Sequence, residues 1–168
     1  YQINIGKRNE GVKPTVAPDF SEAITALSAR MTQVDASSFT SQDQIIANGF
    51  YYADESLTIS GTKFTGDCVI VAENDITYNV DTLSGDGRVV LYSKHGNITI
   101  NGSQITINGI LYAPEGSVNI NAYDTTFNGR MIANQFQYNG SIFNVTASAS
   151  DLELLYDLPV IKITADPE

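Results

Sequence analysis

The feature that most constrains this chain is a loose repeat of about 20 residues. Segments from "GFYYADESLTISG" to "GRMIANQFQYNG" align on a small residue, and successive small residues are 19, 21, 20 and 20 positions apart. These aligned positions are Ala53, Ala72, Ser93, Ala113 and Ala133. A near-constant period of this size is typical of a solenoid, in which each repeat buries its apolar face against its neighbours.

Each repeat divides into three short strands. In the clearest one, "VVLYS" is followed by "NITIN" and "QITIN", with Gly96, Gly102 and Gly109 at or near the breaks. Three strands with glycine-containing corners in about 20 residues describe one coil of a parallel β-helix. The sequence therefore predicts an all-β solenoid of triangular section, with about five coils over residues 44–146 of a single 168-residue domain.

Alternation within the strands predicts which side chains point inward, because successive residues of a strand face opposite sides. The second strands supply one inward stack, namely Leu57, Ile59, Ile76, Tyr78, Ile98, Ile100, Val118, Ile120, Phe136 and Tyr138. Their outward partners are Thr58, Thr77, Thr99, Asn119 and Gln137. The third strands give a less regular inward stack of Ile105, Ile107, Thr125, Phe127, Ile142 and Asn144. Asn79, Asn101, Asn121 and Asn139, with Ser60, fall at one corner, where asparagine suits a turn.

The first strands are apolar on both sides, which is unusual for a surface strand. Their outward columns are Tyr52, Val71, Tyr92, Tyr112, Ile132 and Phe50, Val69, Val90, Ile110, Arg130. A patch of this size needs a cover or a ligand. The stretch 19–34 supplies a candidate cover, an amphipathic helix with Phe20, Ile24, Leu27, Met31 and Val34 on one stripe. We therefore expect residues 1–43 to hold an N-terminal strand and this covering helix.

The end of the chain is expected to close the last coil. Ser150 and Glu153 form a capping pair and Pro159 is a stop signal, so residues 147–168 are predicted to form a C-terminal cap. The stretches 1–5 and 160–163 have the composition of strands, but the pattern does not place them in the solenoid.

Composition excludes some classes of partner. A net charge of −10 and a pI near 4.3 argue against nucleic acid, because phosphate binding needs clustered Lys and Arg. No apolar run approaches the roughly 20 residues of a membrane span. The chain starts at Tyr1, so we expect it to be a piece of a larger protein. The single Cys68 excludes an internal disulfide, and with one His it predicts no metal site.

Residues with catalytic chemistry are few. Asp81, Asp86 and Arg88 are the nearest approach to the carboxylate groups of β-helical polysaccharide lyases and glycosidases, but a polar corner loop accounts for them better. His95 has the chemistry of a base, and a solvent-exposed corner residue is the simpler interpretation. Cys68 has inward parity and is interpreted as a small buried hydrophobe. We predict no enzyme activity and no cofactor.

The stretches "NITINGSQITINGILYAPEGSVNIN" and "FNGRMIANQFQYNG" resemble the polymer-forming, bactofilin-like β-helical repeats of bacterial cytoskeletal and cell-surface proteins. The resemblance covers about residues 44 to 146. It implies a right-handed triangular β-helix with a scaffolding role and without an active site. The helical N-terminal segment and the C-terminal segment depart from that family pattern.

Two functional hypotheses follow. The first is a non-catalytic structural module of a bacterial surface or extracellular protein, whose partners are neighbouring domains of the parent chain or other surface proteins. The alternative is an adhesin-like module that binds a glycan or a protein through Tyr52, Tyr92 and Tyr112, or through the Thr/Asn face. Ordering of water at ice by the outward threonine column is a remoter possibility.

Overall fold

The computed structural model describes residues 31–41, 45–46, 48–61, 63–64, 66–83 and 87–146. This part of the chain is all-β, and its secondary-structure elements are numbered here in chain order. They are β1 (Thr32–Gln33), β2 (Ile45–Ile46), β3 (Gly49–Ala53), β4 (Leu57–Ile59), β5 (Lys63–Phe64), β6 (Asp67–Ala72), β7 (Ile76–Asn79), β8 (Thr82–Leu83), β9 (Arg88–Ser93), β10 (Ile98–Tyr138) and β11 (Ile142–Thr146).

Every pairing between these strands is parallel, and it joins residues about one repeat apart. The first strands of the repeats stack as the A face, in the order β1, β3, β6, β9 and then residues 109–112 of β10. On the B face β4 pairs with β7, which pairs with residues 98–101 of β10. The C face contains β2 with β5, β8 with residues 104–105, and residues 124–128 with β11. The chain is therefore a parallel solenoid of about five turns, as predicted.

β10 continues through several corners because the backbone bends without losing its partners in the next turn. Gly109 lies at the corner that leads into the A face, with a φ of 137° that suits glycine. A Cβ atom at this position would lie 2.0 Å from the carbonyl oxygen of Val89 in the turn below. Only glycine allows the two backbones to approach this closely.

The interior of the solenoid is apolar along its length, and the predicted inward stack of the B face is confirmed for four turns. Leu57, Ile59, Ile76, Tyr78, Ile98, Ile100, Val118 and Ile120 are all at most 1% exposed. The A face adds Ile70, Leu91 and Leu111, and the C face adds Ile105, Ile107 and Phe127. Thr125 is also fully buried there, and its hydroxyl has no hydrogen-bond partner among the described residues.

Side-chain ladders tie the turns together at two corners. Between the B and C faces, the amides of Asn101, Asn121 and Asn139 each donate to the asparagine of the turn below, over 2.8, 2.7 and 2.8 Å. Between the A and B faces, the side chains of Ser56, Asp75 and Asn97 each accept from the backbone N–H one turn above. The asparagine corner is thus a structural ladder, as the sequence predicted.

The helix predicted for residues 19–34 is wrong at its C-terminal end. Thr32 and Gln33 form β1 and pair with Tyr51 and Tyr52, so strand pairing begins before residue 44. The backbone N–H of Val34 donates to the carbonyl of Tyr52 over 2.8 Å, and its side chain packs against the interior core rather than on a helical stripe. The first turn needs a parallel partner, and this pairing outweighs local helix propensity. Residues 19–30 and the predicted cap at 147–168 lie outside the described residues, as do the stretches 1–5 and 160–163.

The last turn differs from prediction in register. Phe143 pairs with Thr125 and Val145 with Phe127, so Phe143 and Val145 point inward instead of Ile142 and Asn144. The prediction placed Ile142 and Asn144 17 residues after Thr125 and Phe127, whereas the strands pair at a spacing of 18 residues, the same spacing as at the asparagine corner of this turn. A slip of one residue exchanges the two faces of a strand. Phe136 is 47% exposed because, within the described residues, no further turn covers it.

Candidate functional site

The outward side of the A face is the surface that departs most from an ordinary solvated strand. We call it the outer A surface; it consists of Phe50, Tyr52, Val69, Val71, Val90, Tyr92, Ile110 and Tyr112, the outward residues of β3, β6, β9 and the A-face part of β10. The six of these residues from the second, third and fourth turns are at most 3% exposed, and they form an apolar cluster separate from the interior core. β6 and β9 are therefore buried on both sides.

The three tyrosines proposed as a binding column lie on this surface, but they are not an open platform. Tyr92 and Tyr112 are 1% and 2% exposed, with their ring centroids 4.8 Å apart in a stacked arrangement. Tyr52 is half-buried at the margin of the cluster. Stacking against a sugar or a peptide needs an accessible ring face, which the structure does not provide at Tyr92 and Tyr112.

One long edge of the outer A surface is charged. This charged edge comprises Tyr52, Glu73, Lys94, His95 and Glu115, from four successive turns. The Tyr52 hydroxyl donates to Glu73 Oε1 over 2.5 Å, and the Lys94 ammonium donates to the same oxygen. His95 Nδ1 lies 2.9 Å from Glu115 Oε2, and His95 Nε2 lies 3.9 Å from Glu73 Oε2. The Lys94 ammonium is also 5.5 Å from the centre of the Tyr52 ring.

The charged edge changes the acidity of its central groups. The hydrogen bond to Glu73, followed by burial, raises the pKa of Tyr52 to about 12, so its hydroxyl stays protonated at neutral pH. Burial opposes ionisation of Glu73, but the hydrogen bonds from Lys94 and Tyr52 and the nearby positive charges outweigh it. The pKa of Glu73 is therefore below its ordinary value of 4.5. These hydrogen bonds and ion pairs connect side chains of successive turns along the charged edge.

The opposite edge of the outer A surface carries a second ion pair, which involves Arg88. The structure does not bring Arg88 together with Asp81, which the sequence analysis grouped with it. Arg88 donates from Nε and Nη2 to the two carboxylate oxygens of Asp67, over 2.9 and 2.5 Å. This bidentate pair joins adjacent strands of the A face. Asp81 lies at the other corner of the turn, beside the asparagine ladder, and Asp86 lies outside the described residues. Arg88 therefore serves interstrand pairing with Asp67.

A shallow depression lies at the asparagine corner. It encloses about 540 Å³ and is lined mainly by polar groups, including Ser60, Asn79, Asp81 and Asn101. The amides of Asn79 and Asn101 are already bonded to each other. Because the ladder uses these groups, the depression offers few free donors or acceptors to a ligand.

Neither of the remaining reactive side chains has a catalytic setting. His95 is an exposed corner residue, as predicted, and it lies beside the two glutamates of the charged edge. Cys68 is fully buried in the interior core, and burial raises the pKa of its thiol to about 12. A thiol in this state is a poor nucleophile because the reactive form is the thiolate.

No group of three His, Cys, Asp or Glu side chains in the part of the chain that the structure describes is placed to hold a metal ion. Across the same residues, no helix has both the length and the apolar character required to cross a bilayer.

Comparison with known proteins identifies a family. The family model described as a domain of unknown function (DUF7305) matches residues 3–108, which is more than half of the chain. The chain belongs to this family. The matched range includes the N-terminal segment and the first three turns of the solenoid. Neither the curated proteins nor the solved structures include a match.

Sequence reasoning missed the charged edge as a unit, although a signal was present. Tyr52, Glu73 and Lys94 follow one another at intervals of 21 residues, and His95 and Glu115 are 20 apart. In a solenoid with this period, residues about one repeat apart stack on the same face. Complementary charges at that spacing therefore predict an ion-pair ladder, which a reading confined to apolar columns overlooks.

Proposed function

We propose that this DUF7305 domain is a non-catalytic structural module, a rigid spacer or scaffold in a bacterial surface or extracellular protein. The observation that supports the proposal is the continuity of the side-chain ladders. The Ser56–Asp75–Asn97 ladder connects the first four turns, the asparagine ladder connects the second turn to the fifth, and the apolar interior runs along all of them. A module built this way has few independent parts, because each turn is stable only against its neighbours.

The partners of such a module are the neighbouring domains of its parent chain or other surface proteins. Its task is to hold them at a fixed separation. The acidic composition and the resemblance to polymer-forming, bactofilin-like repeats support a location at the bacterial cell surface. The amphipathic helix belongs to the same proposal: it covers the outer A surface and ends before Thr32.

Rigidity is measurable between two exposed residues of the same column. Asp54 and Asn134 are exposed and lie four turns apart, one residue beyond the stacked positions 53 and 133. At about 4.8 Å per turn, their backbones are separated by about 19 Å along the axis. Buried Cys68 does not compete for a label.

The test is a pulsed electron paramagnetic resonance measurement on the full chain with spin labels at Asp54→Cys and Asn134→Cys. A rigid spacer gives one narrow distance distribution, which stays unchanged in moderate urea until the chain unfolds. A broad distribution, or one that widens well before the unfolding transition, would contradict the spacer. A sample in concentrated urea gives the broad reference distribution.

The alternative is an adhesin-like module that uses the outward column of the B face. Thr58, Thr77 and Thr99 are half-buried and are therefore more exposed than Tyr92 and Tyr112. A glycan array with the full chain tests this alternative. Specific retention that is lost in Thr77→Val/Thr99→Val, but kept in Thr126→Val on the C face, would favour binding over a purely structural role.

A further inference from the structure

We propose that residues 1–30 dock on the outer A surface, running from Met31 at the first turn towards the last turn, and that Asp19 or Glu22 forms an ion pair there with Arg130. The inference rests on the covering helix of the proposed function. It adds the direction of the segment, the turns that it contacts and the charge that fixes its far end.

The first argument is the burial of the outer A surface. Val69, Val90 and Ile110 point away from the interior, yet they are 3%, 1% and 1% exposed. Among the described residues, the partly buried apolar side chains that pack against this cluster are Met31, Tyr52 and Ile132. These three residues belong to the same outward columns, so they continue the surface along the solenoid axis and do not cover it. A cover for the second, third and fourth turns must come from elsewhere.

The second argument is where the chain enters. Met31 precedes Thr32, which pairs with Tyr51, so Met31 lies beside Phe50 at one end of the outer A surface. Its side chain already packs against that cluster. The segment 1–30 is therefore joined to a residue that contacts the surface. The DUF7305 match, from residue 3 to residue 108, covers both this segment and the first three turns.

The third argument is reach. A helix from Met31 back to Asp19 is about 18 Å long at 1.5 Å per residue. The distance from the first partial turn to the turn that contains Arg130 is about 24 Å, taking five steps of about 4.8 Å. The side chains of an arginine and a carboxylate close the remaining gap. Phe20, Ile24 and Leu27 would then face the buried turns between the two ends.

The fourth argument is charge. Arg130 occupies the position of Val69, Val90 and Ile110 in the last turn, so a cation ends an otherwise apolar column. Its Nε atom is buried, and it has no hydrogen-bond partner among the described residues. A buried donor without a partner is costly, and a carboxylate satisfies a guanidinium best. Asp19 and Glu22 are the only acids in residues 11–30, and both lie near the far end of the expected helix.

The cover is tested by thiol accessibility in the full chain. Val90→Cys places a thiol under the expected cover, and Thr99→Cys places one on the outward B face of the same turn. Cys68 stays in place because it is buried and does not react. With an aromatic disulfide reagent under native conditions, we expect Val90→Cys to react at least about tenfold more slowly than Thr99→Cys. Equal rates would show that nothing covers the surface.

Further variants identify the occupant. Ile24→Asp/Leu27→Asp should raise the rate of Val90→Cys and leave that of Thr99→Cys unchanged. If the rate does not rise, residues 1–30 are not the cover. A rate that falls as protein concentration increases would instead indicate a second copy of the chain, which also overturns the proposal.

The ion pair is tested by charge reversal and rescue. Arg130→Glu should raise the reaction rate of Val90→Cys and lower the thermal midpoint. Arg130→Met, which removes the charge and keeps the aliphatic stem, is the neutral comparison. Combining Arg130→Glu with Asp19→Arg or Glu22→Arg should restore protection in one of the two combinations. Rescue by neither would exclude this pair even if the cover is present. The distance distribution between positions 54 and 134 is independent of these results, so the spacer and the docked segment can fail separately.

Discussion

Replacing Thr125 by valine should stabilise the solenoid, although the residue is fully buried. Its side chain points into the apolar interior between Ile105 and Phe143, and its hydroxyl has no hydrogen-bond partner among the described residues. An unpaired buried hydroxyl costs about 1–3 kcal/mol. Valine keeps the shape and exchanges the hydroxyl for a methyl group, whose burial contributes about 0.8 kcal/mol. Allowing for imperfect packing, we expect a gain of about 1–2 kcal/mol in the free energy of unfolding.

The measurement is urea unfolding followed by circular dichroism, with a thermal melt as a second readout. For a chain of this size, each kcal/mol corresponds to about 2–4 °C in the melting midpoint. Thr126→Val is the matched control, because Thr126 is the next residue on the same strand and points outward. Its effect should stay within about 0.5 kcal/mol.

Two outcomes would refute the reasoning about Thr125. If Thr125→Val destabilises the protein, the hydroxyl has a partner such as a bound water, and the interior is not uniformly apolar. If Thr125→Val and Thr126→Val have equal effects, the assignment of inward and outward residues on the C face is wrong. Thr125→Ser, which keeps the hydroxyl and removes the methyl group, should destabilise in either case.

Three further predictions concern other parts of the solenoid. Ile100→Ala should lower the free energy of unfolding by about 2–5 kcal/mol through a cavity between turns, whereas Thr99→Ser on the outward side should cost little in the same urea titration. Asn101→Ala removes the bonds to the asparagines above and below, and should cost about 1–2 kcal/mol in a thermal melt, with loss of amide protection in both neighbouring turns. The stability difference between wild type and Glu73→Gln should be present at pH 7 and shrink as the pH falls below about 4.5, because a carboxylate with a lowered pKa loses its contribution on protonation. A difference that does not shrink as the pH is lowered through the acid range would contradict the role of the charged edge.

The parts of the fold that follow from strict alternation were predictable from the sequence. On the B face, "LTI", "ITYN" and "ITIN" alternate apolar and polar residues, and the inward members are the buried ones. The corner asparagines recur at the repeat period, which is sufficient to predict a ladder. These features are local, since each depends only on neighbouring residues and on the next turn.

The features that were mispredicted depend on contacts across turns. Thr32 and Gln33 continue a helical pattern, but the first turn needs a partner strand and they supply it. Phe143 was assigned outward because the prediction spaced the last turn by 17 residues, whereas the pairing of Thr125 with Phe143 spaces it by 18, and no local pattern marks this difference. The environment of Glu73 was missed because its partners, Tyr52 and Lys94, are each 21 residues away.

Because the A face is buried on both sides, the chain can be truncated only where the cover of the outer A surface is kept. β6 has the sequence "DCVIVA", and every residue after Asp67 is buried, with Cys68, Ile70 and Ala72 in the interior and Val69 and Val71 on the outer surface. The solenoid interior buries only one side of such a strand, so the apolar side chains on its other side need a separate cover. Five turns without an outer layer would expose a continuous apolar strip, which favours association of chains through that face. The smallest stable unit must therefore include the solenoid turns together with whatever covers the outer A surface. A fragment that starts at Thr32 should form oligomers in size-exclusion chromatography at concentrations where the full chain does not. An identical elution profile for the two would show that the outer A surface is tolerated in water and that its cover is dispensable.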